Sequence, residues 1–130
     1  MSSEPARRIR ISAGHVIADA TLNQSTTATK IWNSLPISAN GNTWGDEIYF
    51  AIPVEAAEAA DARETVDLGD LAFWPPGRAF CIFFGRTPAS RGDEIRPASP
   101  VNVVGRMTSD SAAFRGFRSG SAIIVERLSV

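Results

Sequence analysis

Apolar and polar positions alternate along most of this chain, with a period of two that predicts strands. Arg8-Ile9-Arg10-Ile11-Ser12 has that pattern, Gly14 supplies a tight turn, and His15 to Ala20 returns as a second strand. One stretch has the helical period instead. Ala28, Ile31, Trp32 and Leu35 fall at i, i+3, i+4 and i+7, with Asn23 or Ser25 to cap the start and Pro36 to stop it. Trp32 then reads as a core anchor.

Asn40-Gly41-Asn42 predicts a turn, and a strand follows from Glu47. It puts Ile48, Phe50 and Ile52 on one face and Glu47, Tyr49 and Ala51 on the other. The segment Glu55 to Ala60 has helix propensity but no apolar stripe, so it stays open between helix and coil. Val66 to Trp74 is extended with a break at Gly69-Asp70, and Trp74-Pro75-Pro76-Gly77 makes a stiff corner. Ala79 to Phe84 is apolar on both faces, as expected of a central strand covered from both sides. Thr87 to Pro100 is a long loop, Val101 to Met107 a strand, Ser111 to Phe117 a short helical turn, and Ala122 to Leu128 a closing strand. Many short strands, one early helix and frequent Pro and Gly argue for a mainly β closed barrel or sandwich.

The length of 130 residues suits one domain, here residues 8–130 behind a loose tail at residues 1–7. Twelve Arg, one Lys and fourteen acidic residues leave a net charge of -1, which supplies no field for nucleic acid or anionic membrane. The polar start Met1 to Pro5 lacks the apolar stretch of a signal peptide, no run reaches the ~18 apolar residues of a membrane span, and Cys81 is a lone cysteine. The expected address is therefore cytoplasmic.

Candidate chemistry is sparse. One His and one Cys cannot build a tetrahedral metal site, and no cofactor motif is present, so neither metal nor cofactor is expected. His15, beside a hairpin turn, reads as exposed or merely hydrogen-bonded. Asp46 and Glu47 are adjacent, so a strand sends them to opposite faces and they cannot act as a pair. Glu47 shares its face with Tyr49. A solvated strand carboxylate is the ordinary reading, but on a cavity wall Glu47 becomes a polar anchor or a base with a raised pKa. Cys81 reads first as a buried inert thiol.

The most distinctive stretches are Asn42 to Phe50 and Trp74 to Gly85, joined by Thr87-Pro88 and Arg96 to Gly105. Together they resemble a family of small prokaryotic proteins of unknown function with a cyclophilin-like fold, over roughly residues 8–128. The resemblance implies a closed eight-stranded β-barrel with one main helix and a short helical turn. It does not bring the prolyl isomerase residues with it. The Phe-His-Arg and Phe-Met-x-Gln-Gly-Gly-Asp stretches of true cyclophilins have no counterpart here. Asp46-Glu47-Ile48 falls where His-Arg-Ile stands, which puts Glu47 in place of the catalytic arginine. Gly77 to Ile82 stands in for Gly-Ser-Gln-Phe-Phe-Ile, so Cys81 takes a pocket-lining aromatic position. An ionised carboxylate cannot donate the hydrogen bond to the proline nitrogen that such catalysis uses.

The expectation is a barrel with a rebuilt pocket lined by Glu47, Tyr49, Trp74, Cys81 and Phe83, which binds a small molecule or peptide. An enzyme using Glu47, or a weak prolyl isomerase, is the alternative.

Overall fold

The computed structural model describes residues 6–128. The start of the expected tail, residues 1–5, lies outside the described residues, and the first strand already begins at Arg7. No helix among the described residues is long and apolar enough to cross a membrane.

Nine antiparallel strands form one sheet: β1 (Arg7–Ala13), β2 (Val16–Leu22), β3 (Ile37–Asn40), β4 (Asn42–Thr43), β5 (Glu47–Ala51), β6 (Asp70–Trp74), β7 (Ala79–Phe83), β8 (Asn102–Met107) and β9 (Ala122–Arg127). Their spatial order is β3-β9-β1-β2-β8-β6-β7-β5-β4. The two ends of that order, β3 and β4, are consecutive in the chain with only Gly41 between them. The sheet therefore curls into a nearly closed barrel, in which β3 pairs with β9, β4 pairs with β5, and one seam remains. Counting β3 and β4 as one interrupted strand recovers the expected eight.

Gly41 corrects the turn expected at Asn40-Gly41-Asn42. The chain runs on extended there, its N–H donating to the Ser121 carbonyl at 3.0 Å and its carbonyl accepting from Gly120 N–H at 2.7 Å. Glycine leaves room there, because a Cβ would force the side-chain ends of Ile123 and Phe117 to shift.

One helix, α1 (Thr26–Ser34), follows β2. Ser25 caps it, its hydroxyl accepting from the Ala28 N–H at 3.2 Å, and the chain leaves helical geometry at Leu35 before Pro36. Ala28 and Ile31 enter the barrel core, while Trp32 is only partly buried and stacks under the Arg127 guanidinium at 4.4 Å. Two 3-10 turns, Pro75–Gly77 and Ser111–Gly116, match the stiff corner and the short helical turn. Glu55 to Ala60 is coil, without helix. Asn102 of β8 holds it there: its amide donates to Ala57 O at 2.9 Å and its side-chain oxygen accepts from Ala59 N–H at 2.8 Å.

Strand alternation sorts apolar side chains into two clusters. Ile9, Ile11, Leu22, Ile48, Phe50, Leu71, Phe73, Phe80, Ile82 and Val125 fill the barrel interior, where Phe50 and Phe80 stack at 5.3 Å. Each large side chain so buried contributes about 1.5–3 kcal/mol of transfer free energy. The alternate residues of β6 and β7, Ala72, Ala79, Cys81 and Phe83, point outward and join Val66, Ile95 and Val101 in a second cluster. That outer cluster is covered by the loops on either side. Val66 N–H donates to Ile95 O at 2.9 Å, and Arg63 and Val101 exchange two backbone bonds at 2.8 and 3.0 Å. β7 is thus buried on both faces, as its unbroken apolar run predicts.

Candidate functional site: a carboxylate in an aromatic cavity

Against the outer cluster lies a cavity of about 280 Å³, lined by Trp44, Glu47, Tyr49, Trp74, Cys81, Pro97, Ala98 and Val101. β5 and β7 run side by side with Glu47 opposite Phe83 and Tyr49 opposite Cys81, so these four share one outward face. On the far side of β7, Cys81 stands opposite Ala72 and Ala79 opposite Trp74. Trp74 ends β6, and the Pro75-Pro76 corner fixes where its indole goes. The ring N–H donates to Ser99 Oγ at 2.6 Å, which ties the loop bearing Pro97 and Ala98 to the barrel wall.

Four of the five residues singled out from the sequence therefore meet on one concavity: Glu47, Tyr49, Trp74 and Cys81. Phe83 does not reach its surface. It is fully buried in the outer cluster and supports the neighbouring side chains from below. Ile48, Phe50 and Ile52 face away from the cavity into the barrel core.

The structure adds residues that alternation could not supply. Trp44 sits on the turn before β5, where its N–H donates to Glu47 O at 2.9 Å and Gly45 takes a left-handed φ of 61°. By composition alone Trp44 reads as core. Pro97 and Ala98 return from a loop far away in sequence. The only signal for any of the three was membership in the distinctive stretches Asn42 to Phe50 and Arg96 to Gly105.

Glu47 is the unusual group. It is only 6% exposed, and no ion pair engages it among the described residues. Burial pushes its carboxyl up from the ordinary 4.5 to about 7, against the smaller, opposite pull of the Cys81 thiol. No fully buried side-chain oxygen or nitrogen among the described residues lacks a partner, so any Glu47 oxygen left unbonded opens onto the cavity. Cys81 is held well above the usual thiol range, first by burial and then by the negative charge of Glu47. Its Sγ also lies 3.8 Å from Ala79 O. A thiol so placed is a weak nucleophile. At neutral pH the pair offers one carboxyl poised between its two forms and one neutral thiol.

No arginine lines the cavity. Arg78, which follows the Pro-Pro corner in the left-handed region (φ 48°), turns away to pair with Glu55 at 2.5 Å. Arg115 is committed elsewhere, to Asp46 at 3.0 Å. Among the described residues there is no group of three or more His, Cys, Asp or Glu side chains able to hold a metal ion.

Comparison with known proteins agrees with the fold. The solution structure of the hypothetical protein AF2241 from Archaeoglobus fulgidus is 38% identical, with a TM-score of 0.81, over 98% of this chain and 100% of that one. McbB, solved in complex with tryptophan, shares the fold at a TM-score of 0.60 and 15% identity, over 94% of this chain and 46% of McbB. No curated protein matches the sequence. Residues 7–126 match the cyclophilin-like family, and the chain belongs to it.

Proposed function

We propose that this protein binds a small molecule or peptide-like ligand in the cavity formed by Glu47, Tyr49, Trp74 and Cys81, with Phe83 supporting the floor. One observation carries the reading. A carboxylate without a cationic partner is buried in an otherwise apolar cavity, where its desolvation works against the folded state. A ligand that donates hydrogen bonds to it recovers that cost, and sites commonly trade stability for function in this way. A volume of about 280 Å³ lies at the lower end of the ~300–1,000 Å³ typical of small-molecule pockets, which favours a compact occupant.

A second reading makes Glu47 a general base. It is favoured by the carboxyl pKa of about 7, near where a base is most effective at neutral pH. Prolyl isomerisation gains no such support, because the cavity wall carries no cationic donor.

The test is a fragment screen by protein-observed NMR and thermal shift on the wild-type protein, on Glu47→Gln and on Trp74→Ala. Tryptophan belongs in the panel because McbB is bound to it. A true ligand at 100 times its Kd stabilises the wild type by about 2.7 kcal/mol. It should perturb Trp44 and Trp74 and lose affinity in both variants. Hits that bind all three proteins equally would place binding elsewhere and end this reading. Consumption of a hit by the wild type, but not by Glu47→Gln, would favour the base.

A further inference from the structure

We infer that the occupant of this cavity is an organic ammonium ion, held by an N–H donated to Glu47 and by the faces of Trp44, Tyr49 and Trp74. This rests on the ligand-binding reading above and narrows it to one chemical class.

Three features point the same way. The lining holds a single charge, and it is negative. Glu47 is more than nine-tenths buried, and burial alone raises its pKa, with no cationic side chain acting on it. A buried charge of this kind is normally paired, and the missing partner is a cation. The remaining walls supply two indoles and a phenol. Aromatic faces attract ammonium groups by about 0.5–1 kcal/mol when exposed and by about 2 or more when desolvated, and aromatic cages are the usual receptors for alkylated ammonium ions.

The competing classes fit less well. An anion would meet the Glu47 charge without a cationic side chain to offset it. A neutral alcohol or amide would leave the ionised form of the buried carboxylate without its counter-charge. The groups beside Glu47 on the cavity wall are the Cys81 thiol on β7, which burial holds in its neutral form, and the Tyr49 ring on β5. A free amine and a lysine side chain of a peptide present the same group. The loop through Pro97 and Ala98 walls one side, and the experiment below separates the two sources.

The test uses a matched series at pH 8, where Glu47 is mostly ionised and an alkylamine is still protonated. The probes are 2-phenylethylamine, 2-phenylethanol, 3-phenylpropanoate and an acetylated, amidated Gly-Lys-Gly peptide, titrated by calorimetry and by NMR of the indole N–H groups. The amine should bind at least tenfold more tightly than the alcohol, with no detectable binding of the carboxylate. Glu47→Gln should erase the preference for amine over alcohol while leaving the alcohol's affinity within a few-fold. Peptide binding comparable to the amine's would support the ammonium class and assign its source to a chain. Much weaker peptide binding would assign it to a free amine. If the alcohol binds as tightly as the amine, the ammonium inference fails and the pocket reading stands. If neither the amine nor the alcohol perturbs Trp44 or Trp74, both fail.

Discussion

Replacing Glu47 with Gln should stabilise the protein, and by an amount that depends on pH. In the unfolded chain this carboxyl ionises near 4.5, whereas in the folded chain burial delays ionisation to about 7. Between those values the folded state keeps a proton that the unfolded state has lost, so wild-type stability falls as pH rises through that window and stays low above it. At 1.36 kcal/mol per pH unit, the full effect is roughly 3 kcal/mol. For a domain of this size that corresponds to about 10 °C in Tm. Gln keeps the shape and has no proton to lose. The two proteins should therefore melt nearly together at pH 5 and separate progressively, with Glu47→Gln the more stable at pH 8. Asp70 is also raised, and Asp19 and Glu94 are lowered, but these occur in both proteins and cancel in the comparison. Stopping at pH 8 keeps the Cys81 thiol neutral in the folded state and mostly neutral in the unfolded one. The assay is thermal or urea unfolding at half-unit intervals from pH 5 to 8. Parallel pH profiles would show that the carboxyl is hydrated in the fold. A uniform loss of about 1–3 kcal/mol in Glu47→Gln would show that it is a hydrogen-bonded scaffold residue.

Other expectations follow from the same geometry. Isomerisation of a Pro-containing test peptide should proceed at its uncatalysed rate, on the order of tens to hundreds of seconds, and a clear acceleration lost in Glu47→Gln or Trp74→Ala would overturn this. Were the acceleration lost instead in Arg78→Ala, that arginine would have to leave Glu55 to act. Alkylation of Cys81 by iodoacetamide at pH 8 should be far slower than that of free cysteine. It should speed up in Glu47→Gln, since the Glu47 charge helps hold the thiol protonated; an unchanged rate would uncouple the two groups. Gly41→Ala should lower the urea midpoint by an amount equivalent to about 1–3 kcal/mol, because its Cβ must displace Ile123 or Phe117. A neutral effect would mean that the seam yields easily.

The parts of the fold that were readable from sequence are those governed by near neighbours. Alternation in Glu47 to Ile52 separated the core face from the cavity face, and the unbroken run Ala79 to Phe84 marked a strand covered twice. Ser25 and Pro36 bounded the helix because capping and proline sterics act within a few residues. What was misread or stayed open depended on distant groups. Gly41 looked like a turn residue because the crowding of Ile123 and Phe117 comes from the other end of the chain. Glu55 to Ala60 had the composition of a helix, but its backbone groups are claimed by Asn102, over forty residues away. In the site, the same-face rule correctly grouped Glu47, Tyr49 and Cys81. It could not tell that Phe83 would be sealed beneath the surface, or that Trp44, Pro97 and Ala98 would complete the wall.

The division of β5, β6 and β7 between two clusters bears on how such a domain can diversify. Every second residue of these strands belongs to the barrel interior and its neighbours to the outer cluster, so the two sets share a backbone but no side chains. Tyr49 and Trp74 pack with the outer cluster, whereas Phe50, Phe73 and Phe80 pack in the barrel interior. Selection can then revise the cavity wall almost independently of the scaffold, since the side chains that specify the barrel are not those that a ligand would meet. The outward positions of β5 and β7 and the Pro97-Ala98 loop can accordingly change while the interior packing of the barrel is kept. With the cavity read as a ligand site, a change in its preference needs no change in fold.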